Sequence, residues 1–403
     1  VLGVAGGVAA YKCVQLARDL TRLGATVDVI MTKGAGRFVQ PLSFEAVTGQ
    51  PVHTDLWSGP SESGGLALHV RLGLRADAVC VAPATADLLA RLAHGRANDL
   101  LATTILAARA PVLLCPAMND RMFAHPQVQA NLEHLSTALG YGVVGPATGP
   151  LAAGEGEGPG RMVEPDEIVE HVGRALGREP PFHGKAVLVT AGPTQEPLDP
   201  VRYVGNHSSG RMGFALARAA WRRGARVLLV TGPSALVDPP GVEVVRVGTA
   251  REMEAAVRAR LPEIDLGVFA AAVADYRPAD PSTSKLKRSR EGDEMGLTLV
   301  ANPDVAAGTR DARNPEAVFV GFALETEDRI ENARKKMVDK GFDLVVVNAP
   351  EEDSGFGVDT NRVVLIGRQG EDEPLPLLPK DDVAERVLDR ISPLLARTSG
   401  SWV

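Results

Sequence analysis

AGPTQEPLDPVRYVGNHSSGRMG (191–213) is the stretch on which the reading of this chain turns. The apolar run AVLV at 186–189, with Thr190, predicts a buried strand entering it, and 212–223 carries helical periodicity on leaving it. Between them Gly192-Pro193, Pro197, Pro200 and Gly205 keep a backbone out of regular structure, so a loop is expected. Asn206, His207, Ser208, Ser209 and Arg211 then place donors just ahead of the helix N-terminus, where free N–H groups and the helix dipole attract phosphate. An ordinary capping loop needs one such residue. Loops longer than about 12–15 residues are usually functional or disordered, and we read this one as a ligand site.

The whole chain sets the frame. At 403 residues it exceeds one ordinary core, and two domains are expected. Hydrophobic content of 45% with 23% charged residues is a normal globular balance. A net charge of −7 disfavours nucleic acid as a partner, so any phosphorylated ligand must be met by local donors. Cys13, Cys80 and Cys115 are odd in number and far apart, which gives no disulfide framework, leaves any metal ligand set unknown, and fits a reducing cytoplasm. No apolar run approaches the roughly 18 residues of a membrane span. Residue 1 is Val inside an apolar run, so further residues are expected before it.

The first half opens with a strand at 1–5, Gly6-Gly7, a helix carrying Leu16, Leu20 and Leu23, and a strand at 25–31. Glycines at a first βα turn point to a nucleotide or flavin phosphate. The spacing is not the dinucleotide fingerprint, and Thr32 stands where an acid would hold a ribose diol. Strands at 76–82 and 112–115 and helices at 86–94, 98–109 and 127–139 imply a parallel sheet covered on both faces. Ligands collect at the carboxyl ends of such strands. The polar clusters assigned there are Pro83-Ala84-Thr85, CPAMNDRM (115–122) and His69, placed just before a strand. GRALGREPPFHG (173–184) has linker composition. The βαβ pattern then restarts, with strands at 226–231, 266–272, 317–323 and 344–347 and a helix at 327–340. Thr231 again replaces the dinucleotide acid.

Four motifs in the first half, GGVAAYK (6–12), HVRL (69–72), APATADLLARLAHGRANDL (82–100) and PAMNDRM (116–122), resemble the homo-oligomeric flavin-containing cysteine decarboxylases, phosphopantothenoylcysteine decarboxylase above all. Stretch 191–213 resembles the signature of phosphopantothenate–cysteine ligase. Together they resemble the bifunctional decarboxylase–ligase family of coenzyme A biosynthesis. The resemblance implies two Rossmann-like α/β domains: a flavodoxin-like flavin domain at 1–173 and a nucleotide-binding ligase domain at 184–403.

For the first domain it implies FMN held by Gly6, Gly7, Val8, Ala9, Thr32, Phe38, Pro83, Ala84 and Thr85, His69 as base, Asn119 on the substrate carboxylate, and Met118 beside it. The chemistry suits these residue types, because a cysteine-derived carboxylate loses CO2 only once the thiol is oxidised to give the carbanion a sink. A neutral imidazole takes a thiol proton near pH 7. The glycine-rich flap LAAGEGEGPGRM (151–162) departs from the family pattern LACG, whose Cys donates the proton that completes reduction. Here that position is Ala153, while Gly154 and Arg161 are retained. The readings are another donor (Glu155, a water or Cys115), a Cys-to-Ala change introduced to trap an intermediate, or loss of decarboxylation with flavin binding kept. Asp87 and Arg91 also stand where relatives often carry Asn and Lys.

For the second domain the resemblance implies Asn206 acting when cysteine attacks an acyl-cytidylate. It makes KLKR (285–288) the ligase's basic loop, with Lys285 stabilising charge as phosphopantothenate attacks the α-phosphate of CTP and Arg288 replacing a common Lys. Ala271, Ala272, Asp275, Asn302, Pro303, Asp304, Phe322, Lys336 and Lys340 fall at positions around cytidine and triphosphate, with Mg²⁺ bridging the phosphates. By composition alone KLKR is a solvated charge run and the lysines of 330–340 an exposed basic stripe. The expected substrates are 4′-phosphopantothenate, cysteine and CTP, in a homo-oligomer of trimeric flavin domains and paired ligase domains. Three rivals remain: a working ligase with an impaired flavin domain, a non-enzymatic flavoprotein regulator, and an NAD(P)-linked reductase, which Thr32 and Thr231 disfavour.

Overall fold

Apolar runs become parallel strands here because helices cover both faces of each sheet. The computed structural model describes residues 1–57, 66–177, 180–287, 294–324, 328–348, 357–368, 370 and 372–398. The chain divides into two units, Val1–Leu176 and Gly177–Val403. The expected linker therefore begins late, since helical sequence continues through its first residues to Leu176.

In the first unit β1 (Leu2–Val4), β2 (Val29–Met31), β3 (Val52–His53), β4 (Val79–Ala84), β5 (Val112–Pro116) and β6 (Gly142–Val143) form a parallel sheet in the order β3-β2-β1-β4-β5-β6. This doubly wound order reverses between β1 and β4, leaving a crevice at their carboxyl ends. The helices are α1 (Lys12–Arg22), α2 (Pro41–Thr48), α3 (Leu68–Arg75), α4 (Ala86–Ala93), α5 (Leu100–Ala107), α6 (Asp120–Phe123), α7 (Pro126–Glu133) and α8 (Pro165–Leu176). On α1 the buried stripe is Cys13, Leu16, Ala17 and Leu20. Leu23, expected on that stripe, is exposed, because the helix stops at Arg22 and Gly24 turns away with φ 91°. The single helix expected at 127–139 is instead α7 followed by a π-helical turn, His134–Ala138. The flap is a hairpin of β7 (Ala147–Pro150) and β8 (Glu157–Arg161).

The second unit has an eight-stranded sheet. Its members are β9 (Ala186–Ala191), β12 (Arg226–Thr231), β13 (Glu243–Arg246), β14 (Leu266–Phe269), β17 (Val318–Leu324), β18 (Leu344–Asn348), β20 (Val363–Gly367) and β21 (Glu373–Pro374). They lie in the order β13-β12-β9-β14-β17-β18-β20-β21, parallel as far as β18 and antiparallel beyond it. Along β9, Val187 and Val189 enter one core and Leu188 the other, the period-two alternation of a strand buried on both faces. Its α-helices include α9 (Arg211–Arg222), α10 (Ala250–Arg258), α11 (Val305–Gly308), α12 (Arg329–Lys340) and α13 (Lys380–Thr398), which ends the described chain.

Stretch 191–213 corrects one expectation. Pro197 and Gly205 lie within short strands, β10 (Gln195–Pro197) and β11 (Tyr203–Gly205), which pair antiparallel. A two-stranded ribbon tolerates proline where a central strand would not, because half of its hydrogen-bonding edge is unpaired anyway. Asp199 closes the ribbon, accepting from the N–H groups of Val201 and Arg202 and from the Arg202 guanidinium. That guanidinium and those N–H groups hold the Asp199 carboxyl well below the usual carboxylate range. The chain then enters α9 through Gly210, whose φ of 80° favours glycine. Three residues on, a Cβ at Gly213 would lie 2.5 Å from that of Ala191, so glycine lets α9 sit directly on β9. Two further pairings, β15 (Tyr276–Pro278) with β16 (Leu299–Ala301) and β19 (Thr360–Asn361) with β22 (Leu378–Pro379), flank the sheet's carboxyl edge.

Candidate active sites

Each unit has a cavity at its switch point. In the second unit it encloses about 380 Å³ between the ends of β9 and β14. Thr190, the last but one residue of β9, accepts through Oγ1 from the N–H groups of Ala270 and Ala271 at 3.2 Å each. Thr194 Oγ1 accepts from Ala274 N, Asn206 Nδ2 donates to Val273 O at 2.8 Å, and Asn302 Nδ2 donates to Ala274 O at 2.8 Å. Segment 270–275, expected to continue β14 to residue 272, leaves the sheet at Phe269 and is held by side chains instead.

This cavity gathers Asn206, Ala271, Ala272, Asp275, Asn302, Pro303, Asp304, Phe322, Lys336 and Lys340, along with Ser208, Ser209 and Arg211 ahead of and at the start of α9. Asp304 N-caps α11 through Ala306 N and Ala307 N, and its Oδ2 lies 2.8 Å from Lys340 Nζ at the end of α12. Burial pushes the Asp304 carboxyl up, but the Lys340 ammonium and the two backbone N–H groups together hold it below its ordinary range. Lys285 does not line the cavity. It is exposed, next to Leu286, whose N–H donates to Asp199 Oδ2 and whose carbonyl accepts from Arg202. Arg288 lies outside the described residues. Lys380 and Asn361 also line the wall, only 7% and 2% exposed, and were missed because a lysine opening a helix and an asparagine in a turn-rich run read as surface. A buried cation in a cavity wall has no local sequence signal.

The first unit's cavity encloses about 910 Å³ at the ends of β1 and β4. Gly6, Gly7, Val8, Ala9, Thr32 and Thr85 line one side, and Met118, Asn119, Glu155 and Arg161 the other. A Cβ at Gly6 would lie 2.7 Å from the backbone of Gly34, so glycine allows the two loops to meet under the cavity. Arg161 and Lys12 both hold Glu164, at 2.5 and 2.8 Å, and the Lys12 ammonium foremost keeps that carboxyl below its ordinary range. Arg91 is fixed by Asp87, Asn98 and Asp99, so the Asp87 and Arg91 substitutions complement one another.

Several expected residues fall elsewhere. Phe38, Pro83, Ala84, Ala153 and Gly154 do not line this cavity, Ala84 being buried in β4 and Phe38 exposed. His69 lies on α3, the helix that precedes β4, and the structure does not bring it to Asn119; its Nδ1 is buried without a hydrogen-bond partner. The flap backbone reaches the site at Met118, whose N–H donates to the Gly160 carbonyl at 2.9 Å; a Cβ at Gly160 would collide with the Met118 carbonyl. Asn119 Nδ2 donates to Glu155 Oε2 at 3.1 Å. Cys115, one of the alternative donors, does not line this cavity. It is fully buried behind the cavity, and its contact with Cys80 and its burial push the thiol well above its ordinary range. Among the described residues no group of three or more His, Cys, Asp or Glu is arranged for a metal, and no helix is long and apolar enough to cross a membrane.

The carboxyl of Asp304 supplies a direct check on this geometry. A folded-state value below the unfolded one near 3.9 means the pair stabilises the fold above that pH, and the contribution is lost as pH falls through the folded value. Carbon-detected NMR titration should therefore place the Asp304 midpoint below about 3.9 and move it upward in Lys340→Met. A wild-type midpoint at or above that value would contradict the pairing.

Comparison with known proteins agrees with this division. Residues 1–177 match the Flavoprotein family and residues 182–394 the DNA/pantothenate metabolism flavoprotein C-terminal domain. The coenzyme A biosynthesis bifunctional protein CoaBC of Escherichia coli is 45% identical over 393 residues, covering 97% of this chain and 96% of that one. Its counterpart in Mycobacterium bovis is 45% identical over 414 residues, covering 99% and 97%. The solved C-terminal domain of a CoaBC protein is 36% identical, covers 53% of this chain and 97% of its own, and superposes with a TM-score of 0.46. The chain belongs to the family of bifunctional coenzyme A biosynthesis proteins, enzymes that join a ligase to a flavoprotein decarboxylase.

Proposed function

We propose that residues 184–403 ligate cysteine to 4′-phosphopantothenate at the expense of CTP, and that residues 1–173 decarboxylate the product with FMN. The observation that carries the ligase reading is the 380 Å³ cavity, because residues from β9 to α12, distant in sequence, converge on it. A carboxylate does not acylate an amine at neutral pH until activated. The substrate carboxylate attacks the CTP α-phosphate, releasing pyrophosphate and forming an acyl-cytidylate. The cysteine amine then displaces CMP, losing a proton as the amide forms. Lys336, Lys340 and the N-terminus of α9 supply positive potential for the phosphates. Asp275 is the carboxylate best placed to share Mg²⁺ with the triphosphate, whose charge the metal would neutralise. Lys285 joins from its exposed loop to stabilise the transferring phosphate.

Asn206 separates the half-reactions. In Asn206→Ala, pyrophosphate release from CTP and phosphopantothenate should persist while cysteine adduct formation falls by roughly 100-fold, the scale for losing one transition-state donor. Equal loss of both would remove Asn206 from the second step.

In the first unit the glycine turn, Thr32 and Thr85 suit a flavin phosphate, and the adjoining cavity has room for the ring. FMN when bound supplies a hydride acceptor and donor. His69 takes the thiol proton and Asn119 holds the substrate carboxylate through its amide, without neutralising it, so that CO2 can leave. Because His69 is absent from this chain's own cavity, the reading requires a homo-oligomer in which another copy brings it. Exposed Trp57, Leu42, Leu66, Leu74 and Leu106 offer apolar surface for that contact, and the solution mass should be at least twice the 42.4 kDa of one chain.

Glu155 is the donor we assign in place of the flap cysteine, since it already holds the Asn119 amide that the substrate carboxylate takes and later vacates. Glu155→Gln should stall turnover at a product two hydrogens short of 4′-phosphopantetheine, and adding Ala153→Cys should restore it. Unchanged product in Glu155→Gln would assign the proton to water. An impaired flavin domain would instead show the same stall in the wild type.

A further inference from the structure

Arg313 lies in none of the motifs and does not line the cavity, yet it is packed directly behind it. Its guanidinium stands 4.3 Å from the Phe319 ring centre, 5.3 Å from Phe269 and 5.7 Å from Phe342, and the last two rings form part of the cavity wall. Its hydrogen bonds go to main chain in two different elements. Nη2 donates to Ala306 O at 2.6 Å, and Nη1 donates to Lys340 O at 2.9 Å and Gly341 O at 3.2 Å.

Those carbonyls belong to the elements that present the Asp304–Lys340 pair. Ala306 is in the turn of α11 that Asp304 caps, and Lys340 is the last residue of α12, followed by Gly341 with φ 65°. A cation on the carbonyl end of α12 is favourable with the helix dipole. The arrangement is otherwise a poor choice for stability alone. Burial pulls the guanidinium down to about 10, and Nε is buried with no partner. A hydrophobic side chain among three phenylalanines would avoid both costs. What it could not do is grip carbonyls of two elements with one rigid planar group, and a lysine cannot reproduce that fork either.

We propose that Arg313 is a positioning residue of the ligase site, which holds α11 and the end of α12 together so that Lys340, oriented by Asp304, meets the triphosphate of CTP. The inference rests on the CTP reading above and adds to it a residue that never touches substrate.

The test is a double-mutant cycle of Arg313→Lys and Lys340→Met, read as KM for CTP and for phosphopantothenate and as CTP affinity by calorimetry. Arg313→Lys should raise KM for CTP by about 10-fold or more and leave KM for phosphopantothenate within about twofold. In the Lys340→Met background the same change should add less than about twofold, since residues acting through one another are not additive. Equal rises in both KM values, or full additivity, would reduce Arg313 to a structural role. Should Arg313→Lys fail to fold, the wild type still decides: CTP should shift the Arg313 guanidinium resonance in arginine-selective NMR and phosphopantothenate alone should not. An unmoved resonance overturns the proposal. If the wild type does not bind CTP at all, the ligase reading fails first, and the failure is not that of Arg313.

Discussion

The two hydrogen bonds from Ala270 and Ala271 to Thr190 Oγ1 are the constraint on which the ligase half depends. At the switch point the crossovers from neighbouring strands depart in opposite directions, so no helix covers the strand ends. Backbone that leaves the sheet there loses its ladder partners and must find others, because an unpaired buried N–H is costly. A threonine hydroxyl next to the end of β9 does this locally. It turns 270–275 across the cavity, where Asn206 and Asn302 take over the pairing. The backbone that lines the cavity is thus positioned by side chains that line it too.

The first unit reaches a similar result by another route. Its crevice is shaped by close backbone approach, Gly6 against Gly34 and Gly160 against Met118, with few side-chain clamps. Charge is balanced in small closed sets, Glu164 between Lys12 and Arg161, and Arg91 among Asp87, Asn98 and Asp99. Such sets hold Lys12, Arg91 and Arg161 in fixed places along the cavity.

Much of the fold was legible because parallel strands buried on both faces are continuous apolar runs; 226–231 became β12 without adjustment. The ribbon inside 191–213 was not, since Pro197 and Gly205 carry the same local signal in a loop and in a two-stranded edge. Of the site, Asn302, Pro303, Asp304 and the lysines of α12 were reachable only through family resemblance; by composition those lysines are a basic stripe. Lys380, Asn361 and Arg313 were invisible for a physical reason. Their environments are made by segments remote in sequence, and nothing adjacent marks a buried cation. His69 shows the converse case, a residue the motif selects and the single chain leaves apart from its cavity.

The central claim is that one chain carries two consecutive reactions, and mass spectrometry of the products tests it most directly. The wild-type protein is supplied with 4′-phosphopantothenate, cysteine, CTP and Mg²⁺. The account predicts 4′-phosphopantetheine, with one CMP and one pyrophosphate formed for each. A reaction that yields no cysteine adduct under these conditions contradicts it.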